Sequence, residues 1–384
     1  MSKAALVLEP PVMESLPDEV ILRTSERGTF GRCPQRWEWS WRYGLKPIAP
    51  PSNPLWLGDL VHQALAAWYI PGFKRGPHPA ETFEKLADGD VRRFRVDFPN
   101  SDYDEQKFVD GVELGVAMLN GYVEHWGTDD FWEIIMPEAP GQVRVRRNYV
   151  GGDATALYGM RLDAVYRDHS LNHAPFRILE TKTAASISTN HLTLDSQAGG
   201  YWALGTTALR SAGLLGDKDI IESITYNFLR KALPDLRPIN ADGMRCNKPK
   251  KEDYAEALSR LLSVDAKKLT IPELETFARR NNVKVFGEPS LKQPAPWFVR
   301  HEELKTRGHL NSQISHIEDQ LEVMDAMRVG DLPVYKVPVQ MGPMACAGCP
   351  FFAMCQLHEA GGDWEEYRDL AFTVEDPYAD HRNL

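Results

Sequence analysis

The chain has 384 residues, 43% of them hydrophobic and ten of them Trp, which supplies a sizeable core and excludes wholesale disorder. Its formal net charge of -10 argues against a surface that coats nucleic acid or an anionic membrane as a whole, while leaving room for a local basic groove. No stretch approaches the roughly 18 uncharged apolar residues of a membrane span, and Met1 to Pro17 lacks a signal-peptide pattern. The expected setting is therefore soluble and cytoplasmic.

The first 20 residues are proline-rich and unpatterned, an expected flexible lead-in. Ser25 and Glu26 suit the start of a short helix that Gly31 and Pro34 interrupt, and a second helical run covers Gln35 to Tyr43, ended by Gly44. Cys33 falls at that junction. Trp37, Trp39 and Trp41 spread around such a helix, so they read as packing residues and not as base-stacking platforms. After a loop with four prolines, Leu57 to Tyr69 is an apolar-faced helix with Gly58 near its start and His62 one turn on. Taken alone, His62 reads as a packed structural histidine. Two long helical patterns follow at about 80–98 and 103–126.

Then the character changes. Gln142 to Val150 alternates like a strand, Gly151-Gly152 makes a hairpin-type break, and Ala156 to Arg167 is a second strand. Asp163 lies within it between Leu162 and Ala164, an expensive place for a carboxylate unless it is paired or metal-bound. Phe176 to Thr183 is the third strand of a meander. Glu180 and Lys182 are two apart there and share a face. Leu194 to Leu204 reads as a helix despite its glycine pair, with Gln197 and Tyr201 on one side. A strand at Ile220 to Leu229 leads into a polar stretch with Lys248, Lys250 and Lys251, then helices at about 252–265 and 272–281. A strand at 296–300, a long helix at about 303–328 and the run Cys346-Ala-Gly-Cys349 to Cys355 complete the chain.

His62, Asp163, Glu180 and Lys182 thus follow one another on helix, strand and strand. Neighbouring strands lie about 4.8 Å apart, so Asp163 and Glu180 can close on one ion, and two adjacent buried carboxylates repel without a cation. Oxygen and imidazole ligands suit Mg or Mn, and a nearby Lys orients water and offsets phosphate charge. The mechanics favour a metal-assisted phosphodiesterase. The five cysteines are an odd number in a chain with no export signal, which favours a metal or cluster over disulfides. One two-residue-spaced pair, with Cys33 more than 300 residues away, fits an iron–sulfur cluster better than tetrahedral zinc, which stays the alternative. Cys246 has no cysteine near it in sequence and reads as a bystander.

In order, Cys33-Pro-Gln-Arg-Trp37, Gly58-x3-His62, Gly159-x3-Asp163, Glu180-x-Lys182, Gln197-x3-Tyr201 and Cys346-x2-Cys349-x5-Cys355 resemble the motifs of the PD-(D/E)xK nuclease superfamily, in its RecB-like exonuclease branch with an iron–sulfur cluster. The resemblance implies an α/β, restriction-endonuclease-like core: a central mixed β-sheet flanked by helices, with helical additions and an iron–sulfur staple joining the N- and C-terminal parts. It implies His62, Asp163, Glu180 and the Thr181 carbonyl as metal ligands, with Lys182 positioning water. It further implies that Gln197 and Tyr201 would orient the site and the nucleic acid, and that Cys33, Cys346, Cys349 and Cys355 would bind a [4Fe-4S] cluster.

The expected organisation is a lead-in at 1–20, a helical part with Cys33 and His62 at 21–130 and a nuclease core at 131–232. A basic loop and helical insertion at 233–295 and a C-terminal part at 296–384 follow. Lys248, Lys250 and Lys251 are the candidate phosphate contacts of the insertion. The expected function is a Mg- or Mn-dependent DNA exonuclease in recombination, repair or phage-type processing, in a bacterial or phage-infected cell. Its partners are DNA ends and a separate helicase or recombination protein, since the chain has no Gly-x4-Gly-Lys-Ser/Thr loop. The alternative is a non-catalytic DNA-end-binding or recruitment subunit of a larger DNA-processing complex, which has no reason to keep buried charges.

Overall fold

The computed structural model describes residues 20–99, 103–334, 346 and 348–379, so the expected lead-in lies outside it apart from Val20. The chain divides into two compact units, Met1–Lys231 with Phe298–Leu384, and Ala232–Trp297. In order, the first opens with β1 (Ile21–Arg23), α1 (Thr24–Arg32), α2 (Pro34–Trp37) and β2 (Leu45–Pro47). Helices α3 (Asn53–Trp68), α4 (Pro79–Asp97) and α5 (Glu105–Trp126) follow, then β3 (Trp132–Arg146), β4 (Thr155–Asp168), β5 (Phe176–Ala184), α6 (Ser196–Ser211) and β6 (Ile221–Arg230). After α7 (Lys251–Leu258) and α8 (Ile271–Arg280) of the second unit come β7 (Phe298–Glu303), α9 (Arg307–Arg328) and β8 (Phe372–Val374).

The fold is α/β. A mixed sheet in the order β1-β4-β5-β6-β7, with β3 added on β4, is flanked by helices. The β3–β4–β5 meander is antiparallel as the turn signals suggested, and Gly151 and Gly152 both take the positive φ that its first break needs. One strand begins far earlier than its pattern suggests. β3 starts at Trp132 and not near Gln142, because Pro137 and Pro140 hide its first half from a period-two reading.

The pairing of β4 with β5 is short, running only from Arg167↔Phe176 to Ala164↔Leu179. Beyond that point β5 continues alongside β6 to Ala184↔Arg230, while β4 takes β1 as its neighbour at Arg23↔Gly159. The sheet therefore forks between β4 and β5.

Helix α3 buries Trp56, Leu57, Leu60, Val61, Ala64, Leu65 and Trp68, the spacing of a one-sided apolar stripe. Gly58 lets it close on β5, since a Cβ there would stand 3.1 Å from Thr183 Oγ1. The glycine pair in α6 has the same cause. A Cβ at Gly199 would meet the Gln313 side chain of α9 at 2.7 Å, and one at Gly200 would meet Tyr158 Oη at 2.8 Å. Packing at contact distance outweighs the propensity penalty of glycine in a helix.

The two ends of the first unit are joined by polar contacts as well as by β2–β8 pairing. Buried Glu26 accepts hydrogen bonds from Trp37 Nε1 (2.9 Å), Arg328 Nη2 (3.0 Å) and Tyr378 Oη (2.9 Å). Trp37 and Trp39 are core residues, as expected, and the run after α2 continues as one π-helical turn, Glu38–Arg42. In the second unit, α7 and α8 pack around Tyr254, Leu258, Ala266, Leu274 and Ala278, and Cys246 is buried.

Candidate active site

The fork in the sheet makes the site. Where the β4–β5 ladder stops, the Thr181 amide needs a new acceptor, and Asp163 Oδ2 takes its hydrogen at 2.6 Å. The carboxylate of a mid-strand Asp thus substitutes for a missing carbonyl, which explains its costly position. Its other oxygen, Oδ1, lies 3.1 Å from His62 Nδ1 on α3. Burial disfavours a charged imidazole, but the Asp163 carboxylate outweighs it and the His62 pKa rises to about 9.

Glu180 is fully buried in β5. Its Oε1 accepts from Lys182 Nζ at 2.6 Å, whereas Oε2 is buried with no hydrogen-bond partner among the described residues. Burial raises the Glu180 pKa most; Lys182 opposes this and Asp163 adds to it. The ammonium of Lys182 also donates to Gln197 Oε1 at 2.9 Å, and Gln197 Nε2 donates to Tyr201 Oη at 3.1 Å. Burial disfavours the charged Lys182, yet the Glu180 carboxylate keeps its pKa above the ordinary value. The four polar side chains of β5 and α6 form one connected run, as the two-residue and four-residue spacings require.

One member was missed in the sequence. Glu138 of β3 stands across from Asp163, between the paired positions Pro137↔Ala164 and Ala139↔Leu162. It takes φ 46°, a left-handed conformation uncommon outside glycine and frequent at functional sites. Ligand atoms of His62, Glu138 and Asp163 all lie within 4.8 Å of one another. Burial raises the Glu138 pKa, and the neighbouring Asp163 carboxylate adds to it. The available signal was a lone carboxylate between two prolines in an otherwise strand-like run.

These residues line one cleft of about 820 Å³, together with Arg32, Arg161 and Lys231. The donor set suits a hard divalent cation: imidazole and carboxylates from three elements, plus a buried Glu180 oxygen with no hydrogen-bond partner among the described residues. A cation there would relieve both the carboxylate repulsion and the orphaned oxygen.

The cysteines are placed differently. Cys33 Sγ accepts from Arg36 N at 3.4 Å at the start of α2, and Cys349 and Cys355 lie against an apolar cluster of Trp39, Leu45, Phe351, Met354 and Phe372. Burial pushes the Cys355 thiol up to about 12, with Cys349, Cys33 and Cys346 adding to it. Among the described residues, no three cysteine sulfurs come within 4.8 Å of one another. The thiols are thus near enough to influence one another without being gathered as ligands of one centre. Lys248, Lys250 and Lys251 belong to the Ala232–Trp297 unit, where Lys250 lies 3.6 Å from Glu288 and Lys251 donates to the Lys267 carbonyl at 2.9 Å.

A family model described as the PD-(D/E)XK nuclease superfamily matches residues 24–356. Among curated proteins, none matches the chain. No helix of the described residues is long and apolar enough to cross a membrane.

Proposed function

Since the chain belongs to the PD-(D/E)XK nuclease superfamily, we propose that it is a Mg- or Mn-dependent deoxyribonuclease that hydrolyses phosphodiester bonds at DNA ends, acting as a RecB-like exonuclease. The observation that carries this reading is the convergence of His62, Glu138, Asp163 and half-satisfied Glu180 beside Lys182 in one cleft. His62, Asp163, Glu180 and Glu138 would hold the cation, with the Thr181 carbonyl as a further oxygen. When bound, it supplies Lewis-acid polarisation of the phosphate and acidifies water.

The protein's own groups do the rest. Lys182 Nζ, held by Glu180 and Gln197 and lining the cleft, keeps a third N–H with which to orient the attacking water and offset charge on the pentavalent phosphate. Tyr201 fixes the Gln197 amide. Arg32, Arg161 and Lys231 on the cleft wall hold the flanking phosphates of a DNA strand. Cys33, Cys346, Cys349 and Cys355 bind a [4Fe-4S] cluster that is structural and takes no part in turnover. The setting is cytoplasmic recombination, repair or phage-type DNA processing, with unwinding supplied by a separate helicase or recombination protein.

The test uses end-labelled single- and double-stranded DNA with Mg, Mn or chelator. Metal-dependent release of nucleotides from ends is expected, with single strands preferred. Lys182→Ala should stay folded and inactive. Cleavage by that variant near the wild-type rate would sink the reading.

A further inference from the structure

Lys182 has four rotatable side-chain bonds, and its ammonium is placed only by the acceptors around it. One is Glu180, on the same strand. The other is Gln197, whose position depends on where α6 begins. Asp195 sets that beginning: its Oδ1 accepts from Gln197 N at 2.9 Å and from Ala198 N at 3.4 Å. A helix cap needs no more than one such oxygen, and Ser, Thr or Asn would supply it. Asp195 has a second tie. Its Oδ2 accepts from Tyr226 Oη at 3.2 Å, and Tyr226 stands on β6 as the register partner of Glu180 on β5. The connections close on themselves, from Glu180 through Lys182, Gln197 and Asp195 to Tyr226 and back to the strand position beside Glu180. Tyr226 is buried, so its hydroxyl gains a partner it would otherwise lack.

We propose that Asp195 and Tyr226 are positioning residues of the hydrolysis, clamping the first turn of α6 to β6 so that the Gln197 amide holds the Lys182 ammonium at its working place. The proposal rests on the metal-dependent nuclease reading. Neither residue has to touch DNA or the cation. Their effect passes through Gln197, so it belongs to kcat: an ångström of drift in a reacting group costs about 100-fold, while binding of the strand elsewhere in the cleft is untouched.

The experiment measures steady-state cleavage of labelled DNA by the full-length, Mn-loaded protein, with DNA affinity measured separately in chelator. Tyr226→Phe and Asp195→Ala are each expected to lower kcat by about 10–100-fold, leaving KM and chelator-state affinity within about twofold. Asp195→Asn should recover most of the rate, since its amide oxygen caps α6 and its NH2 can face Tyr226 Oη. In a Gln197→Ala background, Asp195→Ala should add little, because the path is already cut. Equal losses in kcat and affinity, full additivity with Gln197→Ala, or wild-type rates in both variants would each overturn the clamp. If Asp195→Ala unfolds, Tyr226→Phe, which removes a single oxygen, decides the matter. Failure here with Lys182→Ala inactive leaves the nuclease reading standing; an inactive wild-type protein removes both.

Discussion

In the cleft, donors from α3, β3 and β4 approach within 4.8 Å, whereas among the described residues no three cysteine sulfurs do. The contrast follows from what holds each set. Asp163 is tied to the Thr181 amide and Lys182 to Glu180 and Gln197, so ladder and helix geometry place the cleft groups before any ion arrives. Cys349, ahead of the helix Phe352–Glu359, and Cys355, within it, are held by apolar packing, which fixes a neighbourhood without fixing ligand directions. The cleft groups are held in place by hydrogen bonds of strand and helix; the cysteine set would be drawn to its final geometry by what it binds. The β2–β8 pairing and the Glu26 hub already join the chain ends, so a cysteine-bound cluster would close a loop that is closed by other means. Its contribution should be local and smaller than the sequence separation of Cys33 and Cys346 suggests.

The largest effect should come from the cleft. Glu180→Ala is expected to abolish metal binding and lower cleavage by at least about 10³-fold, with the fold retained since Gln197 still accepts from the Lys182 ammonium. A variant that still binds Mn would show that the cleft does not depend on this ligand. Cys33→Ala should come next. Anaerobically purified wild-type protein is expected to be brown with about four irons per chain, and the variant should lose colour and become protease-sensitive around the helices Phe352–Glu359 and Trp364–Ala371. Colourless, stoichiometrically zinc-loaded wild-type protein would replace the cluster with a zinc staple.

Glu138→Gln should weaken Mn affinity by at least about tenfold while retaining the fold, read by calorimetric titration. Unchanged affinity would leave Glu138 as a neighbour and not a ligand. The pH dependence sharpens the same point. The folded-state His62 pKa is raised from 6.5 to about 9, so in metal-free protein its pairing with Asp163 stabilises fully below pH 6.5 and is lost as pH rises through about 9. Raised Glu180 acts in the same direction, since the folded state favours its neutral form. A cation replaces those protons, so the Mn-induced rise in Tm should be larger at pH 9 than at pH 6; the reverse trend would break the assignment. The smallest effect is expected from the second unit. Charge reversal at Lys248, Lys250 and Lys251 should weaken DNA binding and flatten its salt dependence, with metal affinity unchanged. An unaltered salt slope would mean that these lysines are solvated bystanders.

Much of the site was legible because its logic is local. The two-residue step from Glu180 to Lys182 and the four-residue step from Gln197 to Tyr201 are strand and helix periods, and their side chains meet as those periods require. The Gly199-Gly200 pair looked like a weakness in a helix, and only its neighbours Gln313 and Tyr158 explain it; Thr183 does the same for Gly58. The second half of β3 was visible and the first half was not, since Pro137 and Pro140 break the alternation that identifies a strand.

By itself, then, the sequence offered the meander and the order of His62, Asp163, Glu180 and Lys182 on helix and strands, because each rests on spacing within a single element or on residue type, while the α/β class came with the family resemblance. Tertiary structure alone decided that β5 leaves β4 after Leu179, which turns Asp163 into the acceptor for Thr181 N. It also decided that Glu138 faces Asp163 across the ladder and that Tyr226 reaches Asp195 from the neighbouring strand. Those meetings depend on strand register and on where a ladder stops. Register is a relation between distant segments, fixed by packing of the whole sheet, and no local period records it.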